Sequence, residues 1–185
     1  MLKEHEIWWE KTLNNSYRQK GIKKKAPTLE SFGTWMGEKD SKDRKFVRTL
    51  FKGDTLLDAG CGVCPEYFGL SESNINIDYT GVDITPKIVE YNKSKGINCI
   101  QGSLMNLPFD NNIFDTTHSR HVLEHMSEVE QPLNEMIRVS KQRVINVFFI
   151  NFSTREFEHD IKKIQMGTEV YHNAYNRIKI EQLLK

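Results

Sequence analysis

The segment that most restricts the fold is Leu56-Leu57-Asp58-Ala59-Gly60-Cys61-Gly62. An apolar run of strand length passes directly into two glycines spaced two apart, and Glu66 to Leu70 follows with helical composition. Glycine takes backbone turns that a Cβ forbids, so strand, tight turn and helix in this order read as the start of a βαβ unit. The alternation continues down the chain. Ile77 to Ile84 reads as a second strand, and Thr85-Pro86 opens a helix over Lys87 to Lys95 that Gly96 stops. Proline suits the first helical position because the N–H it lacks would be unpaired there. Asn98 to Gln101, Phe114 to Ser119 and Arg143 to Ile150 read as three further strands. A helix over 128–141 precedes the last of them, with Leu133, Met136, Ile137 and Ser140 on its inner side. Strands alternating with helices of this length predict an α/β fold, a parallel sheet with helices on both faces.

Residues 1–53 read as a helical leader: a helix over 3–19 carrying Ile7, Trp8 and Leu13, a basic stretch Lys20 to Lys25, and a second helix packing through Phe46, Val47 and Leu50. The remainder, 54–185, reads as the main domain. With 26 basic and 25 acidic side chains among 185 residues, no global field recruits nucleic acid or an anionic membrane. The apolar runs are too short for a signal peptide or a membrane span, which makes the cytoplasm the expected compartment. Cys61, Cys64 and Cys99 are too few for a disulfide framework. Cys61 and Cys64 match C-x-x-C, but no second pair completes a four-sulfur zinc site, so no metal is expected and Cys99 reads as core.

Asp83 lies 23 residues after Gly60, at the carboxyl end of the second strand. In a parallel sheet that position is beside the glycine turn, where a carboxylate can accept both hydroxyls of a ribose. Turn and acid together point to a nucleoside cofactor. Pro65 stands where a dinucleotide fingerprint needs its third glycine, and no P-loop sequence occurs. Asp58, just before the turn, suits a ligand bearing an ammonium group better than a pyrophosphate.

LLDAGCG at 56–62, VDIT at 82–85, NLPFDNNIFD at 106–115 and HVLEH at 121–125 occur in an order and spacing that resemble the class I S-adenosylmethionine-dependent methyltransferases, most closely the small-molecule methyltransferase type 11 branch. The resemblance runs from about residue 54 to 150. It implies a Rossmann-like sheet, S-adenosyl-L-methionine as cofactor, and methyl transfer to a small-molecule acceptor. It also implies roles for individual residues. Asp58, Gly60 and Gly62 would surround the methionine part, Asp83 would hold the ribose, and Ile84 would pack on the adenine face. Ser103 and Leu104 would lie along the adenine edge, and Ser119 would offer its backbone to the amine. Two positions depart from the family: Cys64 replaces a common third glycine, and Ser103 replaces a common acid.

A base is needed only if the acceptor must lose a proton. His118 is the candidate, from its place at a strand end, and Arg120 is the candidate anchor for an anionic group or the partner of a local acid. His121 and His125 fall four apart on a predicted helix. Trp8, Trp9, Tyr17, Trp35 and Phe152 are candidate apolar walls for the acceptor. The competing reading is a binding or regulatory protein of the same fold without catalysis. Relatives of this kind usually continue past a helix such as Ile178 to Leu184 into two more strands. The ending at Lys185 therefore predicts a truncated sheet with the fifth strand at an open edge, unless residues 151–175 fold back to cover it or two chains pair there in self-association.

Overall fold

The computed structural model describes residues 17–19, 22–24, 28–29, 40–148, 161–163, 169–171 and 173–184. Tyr17–Gln19 (β1) and Ile22–Lys24 (β2) pair antiparallel, where the sequence predicts helix followed by a basic stretch. Only Lys20 and Gly21 separate these strands, a length and composition that favour a hairpin. Lys42–Arg48 forms α1 and Thr55–Ala59 forms β3. Pro65–Glu72 (α2), Asp78–Asp83 (β4), Pro86–Ser94 (α3) and Cys99–Gln101 (β5) follow. Phe114–Arg120 (β6), Glu130–Val139 (α4) and Ser140–Val147 (β7) complete the main alternation. Ile161–Lys163 (β8) and Glu169–Tyr171 (β9) pair antiparallel, and Arg177–Leu183 forms α5. No helix among the described residues is long and apolar enough to cross a membrane.

The main sheet has the order β5-β4-β3-β6-β7, and every pairing in it is parallel. This is a Rossmann-like class I arrangement without outer strands beyond β7 among the described residues. One row across it reads Cys99, Gly81, Asp58, His118, Ile145. Side chains alternate along each strand, so Leu56 and Asp58 share one face while Leu57 and Ala59 share the other. Leu57, Ala59 and Val82 pack with Leu133, Met136 and Val139 of α4. Leu56 and Tyr79 pack with Cys61, Cys64, Leu70 and Val89 on the opposite face. Burial on both faces is why β3 reads as a continuous apolar run.

Local signals set the helix ends. Pro86 occupies the first turn of α3. Its other end closes in a Schellman arrangement, with Gly96 at φ +76°, Gly96 N–H donating to Lys93 O at 2.9 Å and Ile97 N–H to Asn92 O at 3.1 Å. α4 is shorter than expected, because Ser140 already belongs to β7. Its hydroxyl donates to Met136 O and lies 2.6 Å from Thr117 Oγ1. Ile137 is 39% exposed instead of facing inward, and Val139 takes the buried position. Residues 173–184 return over the 123–126 turn: Tyr175 Oη donates to Leu123 O and Asn173 Nδ2 to Met126 O, both at 2.7 Å.

α1 departs most from the sequence reading. Phe46 is 64% exposed; Val47 is buried as expected, and Arg44 and Arg48 are buried with it. Arg44 and Arg48 stand one helical turn apart and both pair with Glu66 in the first turn of α2; Arg48 Nε lies 2.9 Å from Glu66 Oε2. A Cβ at Gly69 would collide with the Arg48 guanidinium, so the glycine makes room for it. Glu66 is shared by both buried guanidinium groups, and removing one partner of a buried ion pair costs about 3–5 kcal/mol. Glu66→Ala is therefore expected to lower unfolding free energy by that amount, read from urea titration, whereas loss of a merely solvated acid would change it by less than about 0.5 kcal/mol.

Candidate cofactor site

The carboxyl ends of β3, β4 and β6 meet at the turn Gly60–Cys64, and the side chains there are held from below. Gly60, Gly62 and Cys64 all have positive φ, at +78°, +54° and +55°. Gly60 N–H and Cys61 N–H both donate to Val82 O, at 2.8 and 2.9 Å, which ties the turn to β4. Cys64 thus adopts a left-handed conformation that glycine would take without strain.

Asp83 is 8% exposed. Its Oδ2 accepts from Gly62 N–H at 3.0 Å and its Oδ1 from Thr85 N–H at 2.9 Å. Each oxygen keeps a second lone pair for a further donor. Burial pushes this carboxyl up to about 6 despite those two backbone donors. At the end of β6, Ser119 Oγ is buried with no hydrogen-bond partner, and Ser119 is 1% exposed. A spare-handed carboxylate beside a glycine turn and an orphan hydroxyl at the next strand end fit a ribose-bearing cofactor with a polar tail.

Other positions differ from expectation. The space left by the missing Cβ of Gly60 is taken by Val122, whose Cγ2 would lie 2.5 Å from a Cβ there. Asp58 faces away from the turn, toward α2 and α3. Its Oδ2 accepts from Tyr79 Oη at 2.8 Å, and its Oδ1 lies 3.1 Å from His118 Nδ1. His118 does not open to the cleft. The register Asp58↔His118 puts it inside the sheet, and β6 runs two residues further. The ring is 0% exposed and lies edge-on to Phe51 with centroids 5.5 Å apart.

Arg120 pairs with Asp43 of α1, while its Nε and Nη1 have no partner. His121 stands at φ +56°, outside any helix, and only Leu123–His125 forms a short 3₁₀ turn. Burial first, and then the Arg120 and Arg44 charges, push the His121 imidazole down to about 4. His125 Nδ1 bonds Tyr171 O at 2.8 Å. Leu104 is buried in the core beside Val82, Ser103 Oγ accepts from Met105 N–H at 3.2 Å, and Ile84 is half-buried. Trp8, Trp9, Trp35, Phe152 and the Tyr17 side chain lie outside the described residues.

Sequence reasoning missed the Tyr79–Asp58–His118 network and the third sulfur of the cysteine cluster. Periodicity marks Tyr79 and His118 as inward-facing, but only strand order brings both to Asp58. Tyr79→Phe removes one of the two donors to Asp58. It is expected to lower stability by about 1–3 kcal/mol in chemical denaturation.

The profile of the methyltransferase domain family matches residues 57–148. The chain is 34% identical over 96 residues to demethylmenaquinone methyltransferase of Staphylococcus epidermidis, covering 49% of this chain and 40% of that protein. It is 28% identical over 116 residues to 24-methylenesterol C-methyltransferase 3 of Arabidopsis thaliana, covering 58% of this chain and 32% of that protein. The fold superposes on an S-adenosylmethionine-dependent methyltransferase from Mesorhizobium loti with TM-score 0.59 and 14% identity, over 80% of this chain and 81% of that one. The chain spans about a third to two fifths of the length of the two curated relatives. Strand order, glycine turn and the buried acid at the end of β4 define a Rossmann-like domain. The chain belongs to the class I S-adenosylmethionine-dependent methyltransferases.

Proposed function

We propose that this chain is the cofactor-binding part of an enzyme that transfers a methyl group from S-adenosylmethionine to a small-molecule acceptor. The observation that carries the reading is Asp83, a buried carboxylate at the end of β4 whose two oxygens each keep a free lone pair beside the family's glycine turn. When bound, the cofactor supplies a methyl group already activated by a sulfonium, so the protein's task is orientation and exclusion of water. Asp83 would accept the two ribose hydroxyls, and Ile84 would cover one adenine face with Ser103 and Leu104 at its edge. Gly60 and Gly62 would hold the backbone close, and Ser119 would receive the polar tail.

His118 then acts through Asp58 as a positioning residue and takes no proton from the acceptor. Its ring keeps a carboxylate satisfied directly beneath the turn. Arg120 would anchor an anionic group of the acceptor through Nε and Nη1. The acceptors named for the two relatives, a methylenesterol and demethylmenaquinone, are small organic molecules, which supports that class here. Three free thiols fit a reducing compartment, the cytoplasm. β7, at the end of the strand order, is the surface through which two copies would pair.

Asp83→Ala is expected to weaken cofactor binding roughly 30- to 1,000-fold, about 2–4 kcal/mol, with cooperative melting retained. Unchanged affinity in calorimetric titration would sink the assignment. The pH dependence gives a second test. The folded carboxyl titrates near 6 against an ordinary 3.8, so what Asp83 contributes to folding is complete below 3.8 and is lost as pH rises through about 6. Ligand hydroxyls favour the ionised form, so binding near pH 6 should release a proton. The measured enthalpy should then change with the ionisation enthalpy of the buffer, and Asp83→Asn should abolish that dependence.

A further inference from the structure

Cys61, Cys64 and Cys99 come from the glycine turn, the N-terminal boundary of α2 and the first residue of β5, and the fold brings their sulfurs together. The three Sγ atoms lie within 4.8 Å of one another, with Cys61 and Cys99 3.7 Å apart. The residues are 3%, 0% and 1% exposed, and none is in a disulfide. Their surroundings are shaped for the cluster. A Cβ at Gly81 would sit 2.8 Å from Cys61 Sγ and 3.4 Å from Cys64 Sγ, so β4 is bare where the sulfurs converge. Asn92, fully buried in α3, directs Nδ2 at Cys99 Sγ (3.5 Å) and Cys61 Sγ (3.9 Å) while donating to Gly62 O at 2.8 Å. An amide N–H aimed at sulfur favours thiolate.

Distance separates the two uses of such a cluster. A disulfide bond is about 2.05 Å long, so Cys61 and Cys99, 3.7 Å apart, would have to move together by roughly 1.6 Å. Metal–sulfur bonds of about 2.3 Å place three sulfurs about 3.8–4.0 Å apart, within the spread seen here. Structural zinc closes its shell with four ligands. Among the described residues the cluster has three members and no fourth. Soft thiolates in that number suit copper(I).

We propose that Cys61, Cys64 and Cys99 form a three-sulfur site for a soft, thiophilic metal ion, copper(I) in preference to zinc(II). Each sulfur that coordinates gives its proton to solvent, and no oxidation is involved. Asn92 holds the ligands from outside, as the hydrogen-bonding neighbours of metal ligands commonly do. The ion would tie the turn to α2 and β5 next to Gly62, whose N–H holds Asp83. The site stands on these residues alone and does not depend on methyl transfer.

The test is anaerobic titration of the reduced, full 185-residue chain with copper(I) delivered from a chromogenic chelator. One equivalent should transfer to the protein, with sulfur as the only first-shell scatterer in X-ray absorption and a raised melting temperature. Cys61→Ser, Cys64→Ser and Cys99→Ser should each weaken binding on the order of 100-fold or more. Cys99→Val keeps the strand's packing and checks that the loss is not misfolding, since its metal-free melting should match the wild type. The proposal is overturned if the chelator keeps its copper, if folded variants bind as well as the wild type, or if equimolar zinc(II) displaces copper(I). It is equally overturned if a chain that takes up no copper forms a Cys61–Cys99 disulfide under mild peroxide.

Discussion

A carboxylate in the central strand of a parallel sheet must be satisfied by the strands beside it, because an unpaired charge there costs several kcal/mol. Asp58 meets that condition with one donor from each side, Tyr79 of β4 and His118 of β6. Both contacts exist only in the observed register, Asp58 opposite Gly81 and His118. A slip of one residue in either neighbour would turn its donor to the opposite face. The network therefore pins the three strands at whose carboxyl ends Asp83 and Ser119 sit, the candidate cofactor site.

A second buried charge organises the outside of that sheet. Glu66 lies in the first turn of α2, where an acid already complements the helix dipole. Arg44 and Arg48 bring α1 onto it, and Gly69 supplies the room. This ion cluster ties α1 to the domain. Through Asp43 the same helix reaches Arg120 at the end of β6. Beside Ser41 and the Arg120 guanidinium, the Asp43 carboxyl is held well below the usual range. One short helix thus connects the ion cluster at α2 with the arginine at the end of β6.

The alternation of strands and helices from 54 to 147 was legible because each signal is local. Glycines end strands and helices, Pro65 and Pro86 open helices, and the apolar runs are strand-sized. Asp83 was legible for the same reason, since a strand end after a glycine turn has a known place in a parallel sheet. The errors fall where a short helix or strand has two credible faces. Phe46 and Ile137 are apolar and were placed inward, yet the inner surfaces of α1 and α4 went to Arg44, Arg48 and Val139. A buried arginine is disfavoured on its own. Here Arg44 and Arg48 pair with Glu66, which lies 22 and 18 residues away.

The amino-acid sequence by itself determined the α/β class, the glycine turn, the acid that faces it and the family to which the chain belongs. All of these follow from residue type and short-range spacing. Tertiary structure decided what each polar side chain does. Strand order placed His118 under Asp58 instead of in the cleft, filled the space above Gly60 with Val122, and brought Cys99 to Cys61 and Cys64 across a bare Gly81. The physical reason is that a side chain's role is set by its neighbours across strands. In a parallel sheet those neighbours are separated by a whole crossover of chain, so no local pattern records them.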